Sequence, residues 1–310
     1  MLVKNSFISS AHLATLAAIV DEGTFDEAGT RLRISTSAVS QRIRALESSV
    51  GAVLLTRTAP VRPTAEGAVL LRLARAQALL ASEALAQLPG ATGTGGAAED
   101  ENPMSGSREP TRIAMAINED SLATWFLPVL AALADEGGIA LTLRTANEDR
   151  TMDMLRDATA IVGVSTSPRA LAGCRARELG TMTYEPLVRP RLLEGADGPL
   201  PRVHFDEIDA LQDESARGTA HEAAGTVHYV PGHPAFEEAI RAGLGWGMIP
   251  LGTAPAGLVR VPGAREVAVR LYWHRWTLDS PALDLLEDEV VAAFSDHPAC
   301  RPADAVPARD

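Results

Sequence analysis

Residues 31–47, RLRISTSAVSQRIRALE, contain one predicted helix with two different sides. Val39, Ile43 and Leu46 recur at helical spacing and predict a face that is buried in a core. The other side carries small polar and basic side chains, namely Thr36, Ser37, Ser40, Gln41 and Arg44. What this second side contacts decides the fold of the N-terminal part.

A second short helix precedes this one across a tight turn. Thr24 and Glu27 have the spacing of a capping box, and Ser35 is placed to cap the next helix. Two short helices joined in this way, the second with small polar side chains outward, are typical of a helix-turn-helix. We expect the polar side to enter the major groove of double-stranded DNA, where hydroxyl and amide groups reach base edges and phosphates. A solvated surface helix of any helical domain is the alternative interpretation.

The charge distribution favours DNA although the chain as a whole is acidic. The 310 residues carry a net charge of −12. Residues 1–88 are nevertheless slightly basic, and six arginines but only one acid lie between Arg31 and Arg62. A local basic patch attracts phosphates even on an acidic protein.

The segments after the helix-turn-helix suggest a wing, a long helix and a linker. Residues 51–64, GAVLLTRTAPVRPT, are typical of a small hairpin, and Thr64 could cap a helix that reaches Leu88. Residues 89–110 are rich in Gly and Pro and cannot form a core. We therefore divide the chain into a winged helix-turn-helix (1–63), a linker helix (64–88), a flexible linker (89–110) and a C-terminal domain (111–300).

The C-terminal domain alternates predicted strands and helices. Strands are expected near 111–117, 139–145 and 160–165, with helices over 121–134 and 149–157 between them. This order predicts an α/β domain with a mostly parallel sheet. The alternation continues less clearly to a last helix, and we expect the residues from Pro298 onward to be frayed.

Cysteine usage and hydropathy predict a cytoplasmic protein that has no membrane partner. The two cysteines, Cys174 and Cys300, cannot form a disulfide framework and do not have the spacing of zinc ligands. The longest early apolar run, HLATLAAIV, is too short to span a bilayer and has no export-signal features.

The sequence resembles a known family over nearly its whole length outside the 89–110 linker. TFDEAGTRLRISTSAVSQRIRALESSVGAVLLTRT and the following RPTAEG closely resemble the N-terminal signature of LysR-type transcriptional regulators. AINEDSLATWFLPVLA, SAVSQRI, GMIP and LYWHR resemble the ArgP/LysG branch, which regulates exporters of basic amino acids. The resemblance implies a DNA-binding regulator that controls an amino-acid exporter gene.

The resemblance also assigns roles in the N-terminal part. It implies that Thr36, Ser37, Ser40, Gln41 and Arg44 contact DNA, with Arg57 and Arg62 in the wing region. The helix over 64–88 would pair with its twin in a dimer, and two dimers commonly form a tetramer in the family. The expected partners are thus operator DNA, a second copy of the chain, RNA polymerase and a small-molecule effector, and no cofactor is expected.

The C-terminal part would then be a two-lobed sensor similar to a periplasmic binding protein. The first lobe is expected at about 111–187 and 268–297, the second at about 188–267. An amino acid, with lysine, arginine or histidine favoured, would bind between the lobes and shift the spacing of the paired DNA-binding units.

Candidate effector contacts come from four places in the sensor. Ser121, at a strand-to-helix turn, could hold an α-carboxylate or simply serve as a helix cap. Glu148 matches an acid that the branch typically has, whereas Ala146 and Asn147 replace acidic positions, so that Asp149 could compensate. Asp206 fits a strand end of the second lobe. His233 lies in YVPGHPAF, where the family usually has a polar run, which suggests a changed effector preference.

Three rival functions remain open. A redox-sensing regulator would use Cys174 and Cys300, although neither has an evidently basic environment. A regulator without an effector is the second, and an enzyme with its active site in the cleft is the third. No catalytic constellation of residues stands out, and the spacing of His228 and His233 does not support a metal site.

Overall fold

The computed structural model describes residues 8–56, 58–87, 110–194, 198–223 and 225–303. Its N-terminal part consists of helices α1 (Ser10–Glu22), α2 (Phe25–Leu32), α3 (Thr36–Val50) and α4 (Ala65–Gln87). The predicted apolar face of α3 is buried: Val39, Ile43 and Leu46 pack against Leu16 and Ile19 of α1. Burial of these side chains stabilises the three-helix unit, because each removes apolar surface from water.

The predicted caps fix where these helices begin. The Thr24 hydroxyl oxygen accepts the backbone N–H of Glu27 at 3.2 Å, and the Ser35 hydroxyl accepts that of Ala38 at 3.2 Å. The Thr64 hydroxyl accepts the N–H of Gly67 at 3.0 Å. Each bond satisfies a backbone donor that has no partner within its own helix. The three predicted caps are confirmed.

The wing is a hairpin held by few bonds. Leu55 and Pro63 form an isolated antiparallel bridge, and the N–H of Thr56 donates to the carbonyl of Arg62 at 2.8 Å. The hydroxyl of Thr64 donates to the carbonyl of Val53 at 2.8 Å. These bonds join the wing to the start of α4.

Helix α4 contacts both halves of the molecule. On one side the guanidinium of Arg75 binds the carboxylate of Asp21 in α1 at 2.5 Å. Further along, the Glu83 carboxylate accepts the hydroxyl of Ser280 at 2.6 Å and the N–H of Ala282 at 2.9 Å. Glu83 is buried, so these two bonds hold α4 against the sensor domain.

The C-terminal domain contains the remaining elements. In chain order they are β1 (Thr111–Ile117), α5 (Glu119–Ala123), α6 (Leu127–Glu136), β2 (Ile139–Thr145), α7 (Glu148–Arg156), β3 (Val162–Ser165), β4 (Cys174–Val188), β5 (Arg202–His204), α8 (Leu211–Ala216), β6 (Val227–Tyr229), α9 (His233–Ala242), β7 (Gly247–Pro250), β8 (Val259–Arg260), β9 (Val267–Trp276), α10 (Pro281–Asp296) and β10 (Cys300–Pro302). None of the described helices is long and apolar enough to cross a bilayer.

These strands build two lobes that share strand β4. In the first lobe the order is β10-β4-β9-β3-β1-β2. In the second, β7 and β8 pair with the end of β4, and β5 pairs with β6. The pairing partner of β4 changes from β9 to β7 at Tyr184, so one continuous strand runs from one lobe into the other.

The sheet is mixed, which corrects the expectation of a mostly parallel one. Strand β1 is parallel to β2 and β3, as the alternation of strands and helices predicts. Strand β4, however, runs antiparallel to β7, β8, β9 and β10. These antiparallel partners come from distant parts of the chain, which a local pattern does not indicate.

Two further sequence expectations are wrong. The helix expected over 121–134 is two helices, because Pro128 has no N–H with which to continue the hydrogen-bond ladder of α5. Of the tail expected to fray from Pro298, residues 300–302 instead form strand β10 against Gly180–Met182, and residues 304–310 lie outside the described residues. Cys300 in this strand is buried.

Candidate functional site

The outward side of α3 is a continuous polar surface. Thr36, Ser37, Gln41 and Arg44 are exposed, and Ser40 is half-buried. The opposite side of the helix is in the core, so the helix is fixed while its polar side chains stay accessible. Small hydroxyl and amide side chains on an accessible helix match the size and chemistry of a major groove.

Contacts to neighbouring residues order the start of α3. The Thr36 hydroxyl donates to the carboxylate of Asp26 at 2.6 Å, and the hydroxyls of Ser35 and Ser37 are 2.9 Å apart. The Thr36 oxygen is thereby left with acceptor capacity toward a ligand. Asp26 in α2 is a contact that the sequence pattern did not reveal.

The wing residues lie at the edge of the same unit. Arg62 is exposed, and its N–H donates to the Thr56 hydroxyl at 3.0 Å. Arg57, the other arginine expected there, lies outside the described residues.

A cleft of about 650 Å³ opens between the two lobes of the sensor domain. Its apolar wall includes Tyr184, Phe205, Phe236 and Met248. This size and mixture of apolar and polar groups are typical of a small-molecule site. Tyr184 is buried, which raises the pKa of its phenol well above the usual value and keeps the group neutral.

The cleft is strongly acidic, and its acids come from both lobes. The first lobe contributes Glu119 and Asp120 from α5, and the second contributes carboxylates around β5 and α8, namely Asp206, Asp209 and Glu214. Among the described lining residues, Arg150 is the only cationic side chain. Such a lining favours a ligand that carries more positive than negative charge.

Asp206 and Asp209 of the second lobe differ in which of their carboxylate oxygens already accept backbone N–H groups. Asp209 is a turn residue, because its two carboxylate oxygens accept the N–H groups of Phe205 and Leu211. One oxygen of Asp206 accepts the N–H groups of Ile208 and Asp209, so its other oxygen is the one that can face a ligand.

The predicted effector residues are placed at different depths. Asp206 lines the cleft. Ser121 is fully buried below it; its N–H donates to Asn118, and its hydroxyl has no hydrogen-bond partner among the described residues. Glu148 and Asp149 begin α7 next to Asn147, which lines the cleft, but their side chains lie outside the described structure.

His233 lies behind the acidic lining and not in it. Its Nδ1 is 3.1 Å from the Asp120 carboxylate, and its Nε2 is 3.2 Å from that of Glu237. Its backbone N–H donates to the Glu119 carboxylate at 3.2 Å. The hydrogen bond to Asp120 raises the pKa of His233, and burial opposes this effect only in part.

The sequence pattern did not single out most of the acidic lining. Glu119 and Asp120 stand in NEDSLATW, and their signal is a pair of acids directly after a buried strand. Glu214 and Arg150 carry no such local signal. Among the described residues, no group of three His, Cys, Asp or Glu side chains could hold a metal ion.

The two cysteines lie far apart and are not activated. Burial raises the pKa of the Cys174 thiol, and it raises the pKa of Cys300 to about 12. Cys174 is the first residue of β4, and Cys300 pairs with Met182 of the same strand. These two positions of β4 are roughly 26 Å apart in a regular strand. A direct disulfide needs Cα atoms within about 7 Å.

Comparisons with known proteins place this geometry in a family. Residues 10–68 match the family model for the bacterial regulatory helix-turn-helix protein, lysR family. The chain is 40% identical over 295 residues to the lysine export transcriptional regulatory protein LysG of Corynebacterium efficiens, covering 91% of this chain and 96% of that one.

Solved structures agree over both parts of the molecule. The crystal structure of ArgP from Mycobacterium tuberculosis matches with a TM-score of 0.74 and 38% identity, over 94% of this chain and 98% of that one. Full-length LysG from Corynebacterium glutamicum, with the effector Arg bound, matches with a TM-score of 0.69 and 37% identity, over 95% and 100% of the two chains.

These two structures match nearly the whole chain, which includes the exposed polar helix, the linker helix and the two-lobed domain. The relatives in these comparisons are named as transcriptional regulators. The chain therefore belongs to the LysR family, in the LysG and ArgP branch, and is a DNA-binding transcriptional regulator and not an enzyme.

Proposed function

We propose that this regulator senses an amino acid with a cationic side chain in its interlobe cleft and controls a gene for amino-acid export. Lysine and arginine are the favoured effectors, with histidine as a third candidate. The observation that carries the proposal is that acids from both lobes face the same cleft.

The charge of the cleft supports a basic amino acid. Such a ligand has two cationic groups and one carboxylate, so its net charge is positive near neutral pH. The acids of α5 on one side and Asp206 and Glu214 on the other offer partners for the ammonium or guanidinium groups. Arg150 offers a partner for the α-carboxylate, a role that the buried Ser121 hydroxyl is poorly placed to take.

The same acids compensate for the negative charge that is missing at Ala146 and Asn147. These two residues replace acids that the branch typically has, and both line the cleft. Glu119, Asp120 and Glu214 supply negative charge nearby, so the replacements do not remove the preference for a cation. The relative with bound Arg supports this choice of ligand class.

DNA recognition is proposed to use the polar side of α3 with the wing. Base edges and phosphates would be contacted by Thr36, Ser37, Ser40, Gln41 and Arg44, and the backbone of an adjacent groove by Arg62. The accessibility of these side chains supports this assignment. Arg57 is retained from the sequence as a further contact.

Self-association and exporter control complete the proposal. Exposed apolar residues along α4 support a dimer of linker helices, and two dimers would make a tetramer. The name of the relative from C. efficiens supports control of lysine export. RNA polymerase remains a predicted partner.

Calorimetry on the full-length protein tests the effector. We expect L-lysine or L-arginine to bind with measurable heat, whereas the neutral, similarly sized L-norleucine does not. A thermal-shift series should agree, because a ligand of the folded state raises the melting temperature. Failure of L-lysine, L-arginine and L-histidine alike would favour a regulator without an amino-acid effector.

A variant of α7 tests the position of the site. We expect Glu148→Gln to lose the response to the amino acid while DNA binding is kept. Glu136→Gln, an exposed acid at the end of α6, is the matched control and should respond normally. A normal response in the Glu148 variant would contradict this part of the proposal.

A further inference from the structure

His233 connects the two lobes behind the acidic lining of the cleft. It is the first residue of α9 in the second lobe, and it contacts α5 of the first lobe. Its imidazole Nδ1 is 3.1 Å from the Asp120 carboxylate, and its backbone N–H donates to Glu119 at 3.2 Å. One residue thus touches both acids that the first lobe presents to the cleft.

The imidazole is surrounded in a way that suits its protonated form. The Glu237 carboxylate, one turn along α9, lies 3.2 Å from Nε2, opposite the contact to Asp120. A neutral imidazole donates from only one ring nitrogen, whereas an imidazolium donates from both. Both carboxylate contacts are therefore hydrogen bonds only when His233 is a cation.

Other charged groups on the neighbouring elements are engaged elsewhere. On β4, Glu185 accepts the N–H of Gly252, and Arg189 after it binds the carbonyl at the end of α9. On β5, Arg202 binds Asp213, and His204 contacts the carbonyl of Asp209. The groups that face His233 are thus Asp120 and Glu119 from α5 and Glu237 from its own helix, with the neutral Tyr184 behind Asp120.

We propose that His233 is a specificity-determining residue that acts as a built-in cation, competing with a basic effector for the carboxylate of Asp120. The inference rests on the proposed function, since it concerns the same cleft. When His233 is charged, it pairs with Asp120 and weakens the binding of lysine or arginine. When it is neutral, it carries no charge that offsets Asp120, and this carboxylate can pair with the cationic group of the ligand.

The protonation of His233 sets the direction of the pH dependence. Its contact with Asp120 raises the pKa of His233 above the usual value, so the imidazolium persists to higher pH than in a free side chain. Competition is therefore present at acidic pH and is lost as the pH rises through the pKa of the folded state.

Calorimetry with L-lysine tests the competition, because the charge of this ligand stays constant between about pH 6 and about pH 8. The wild-type protein should bind L-lysine about three- to tenfold more tightly at the higher pH. His233→Gln, which cannot become charged, should bind as tightly at the lower pH as the wild type does at the higher pH, with a flat profile. His228→Gln in β6 is the control and should keep the wild-type slope.

A second measurement needs no ligand. The NMR titration of the His233 ring proton, assigned by its loss in His233→Gln, should give a lower pKa in Asp120→Asn than in the wild type. An unchanged pKa in Asp120→Asn would overturn the contact itself. An equal pH slope in wild type and His233→Gln, or weaker binding by His233→Gln at every pH, would overturn the competition.

The two proposals fail in different ways. If no basic amino acid binds to either protein, the proposed effector class is wrong, and the competition falls with it. If the amino acids bind but the pH slope does not depend on His233, only the inference of this section fails.

Discussion

Arg44 is the residue on which the DNA-binding surface can be tested most directly. It is exposed on the polar side of α3, away from the buried Val39, Ile43 and Leu46. Its removal should therefore leave the core intact while taking away a positive charge of the proposed DNA-binding surface.

We expect Arg44→Gln to weaken binding to a footprinted promoter fragment by about fivefold or more, in line with ~1–3 kcal/mol for one arginine contact. Fluorescence anisotropy at fixed salt measures the change. Arg260→Gln, an exposed arginine in β8 that pairs with Glu266, should bind like the wild type. Equal affinities for all three proteins would remove Arg44 from the interface.

The two cysteines allow a test of the rival function, a redox-sensing regulator. A thiol reacts as the thiolate, and burial raises the pKa of Cys300 to about 12 and also raises that of Cys174. Because a raised pKa keeps the thiol protonated, the thiolate appears only as the pH approaches that value.

We therefore expect peroxide to leave both thiols and the DNA affinity unchanged near neutral pH. A thiol titration of the denatured protein after peroxide treatment should still find two reduced cysteines. The rapid loss of either thiol, together with altered DNA binding, would favour the redox trigger.

At the scale of elements, the junction between α4 and α10 has a specific chemical basis. Glu83 reaches the first turn of α10, where backbone N–H groups have no partner within the helix. A carboxylate at this end of a helix is stabilised by the helix dipole and replaces water as the acceptor.

We expect Glu83→Ala to lower the free energy of unfolding of the sensor domain by about 1–3 kcal/mol, because the hydroxyl of Ser280 and the N–H of Ala282 lose their acceptor. Urea titration followed by tryptophan fluorescence measures this, since the four tryptophans all lie between residues 125 and 276. The exposed Glu66 in the first turn of α4 gives the control Glu66→Ala, for which no comparable loss is expected.

The helices of the N-terminal part could be predicted because their signals are local. The spacing of Val39, Ile43 and Leu46 and the caps at Thr24 and Ser35 each depend on a few neighbouring residues. The break between α5 and α6 also has a local signal in Pro128. The long strand β4 does not, because its partners begin as far along the chain as Cys300.

The residues that line the cleft could be predicted only in part, because some of them are brought together by contacts between distant parts of the chain. The turn after β1 is recognisable in NEDSLATW, and Asp206 lines the cleft as a strand-end position suggests. The second wall depends on how the lobes face each other, which brings Glu214 to the same cleft as Glu119. The contact between His233 and Asp120 joins residues 113 positions apart, so no sequence spacing reveals it.

At the scale of the whole molecule, one face of α4 is apolar but has no cover within the chain that the structure describes. Val69, Leu73 and Leu80 share this face at helical spacing, and 69%, 47% and 42% of their surfaces are exposed. An exposed apolar stripe on a soluble protein usually marks an interface.

We expect the double variant Leu73→Glu/Leu80→Glu to shift the protein from a dimer or tetramer to a monomer, because charges on the stripe cannot be buried against a second copy. Light scattering coupled to gel filtration measures the mass. Leu127→Glu, which changes an exposed leucine of α6, should keep the wild-type mass. A wild-type protein that is monomeric at micromolar concentration would contradict the linker-helix dimer.

Strand β4 runs through both lobes of the sensor domain. Its first part is bonded to β9 and β10 and its last part to β7 and β8, with the change of partner at Tyr184. Rotation of one lobe against the other would therefore twist β4 near Tyr184, together with the segment that returns from β8 to β9. Strand β4 also pairs with β10, which directly follows α10. Glu83 of α4 accepts a hydrogen bond from the first turn of α10. If the proposed effector binds between the lobes and turns one against the other, we expect the resulting twist of β4 to reach α4, and with it the helix-turn-helix, through β10, α10 and Glu83.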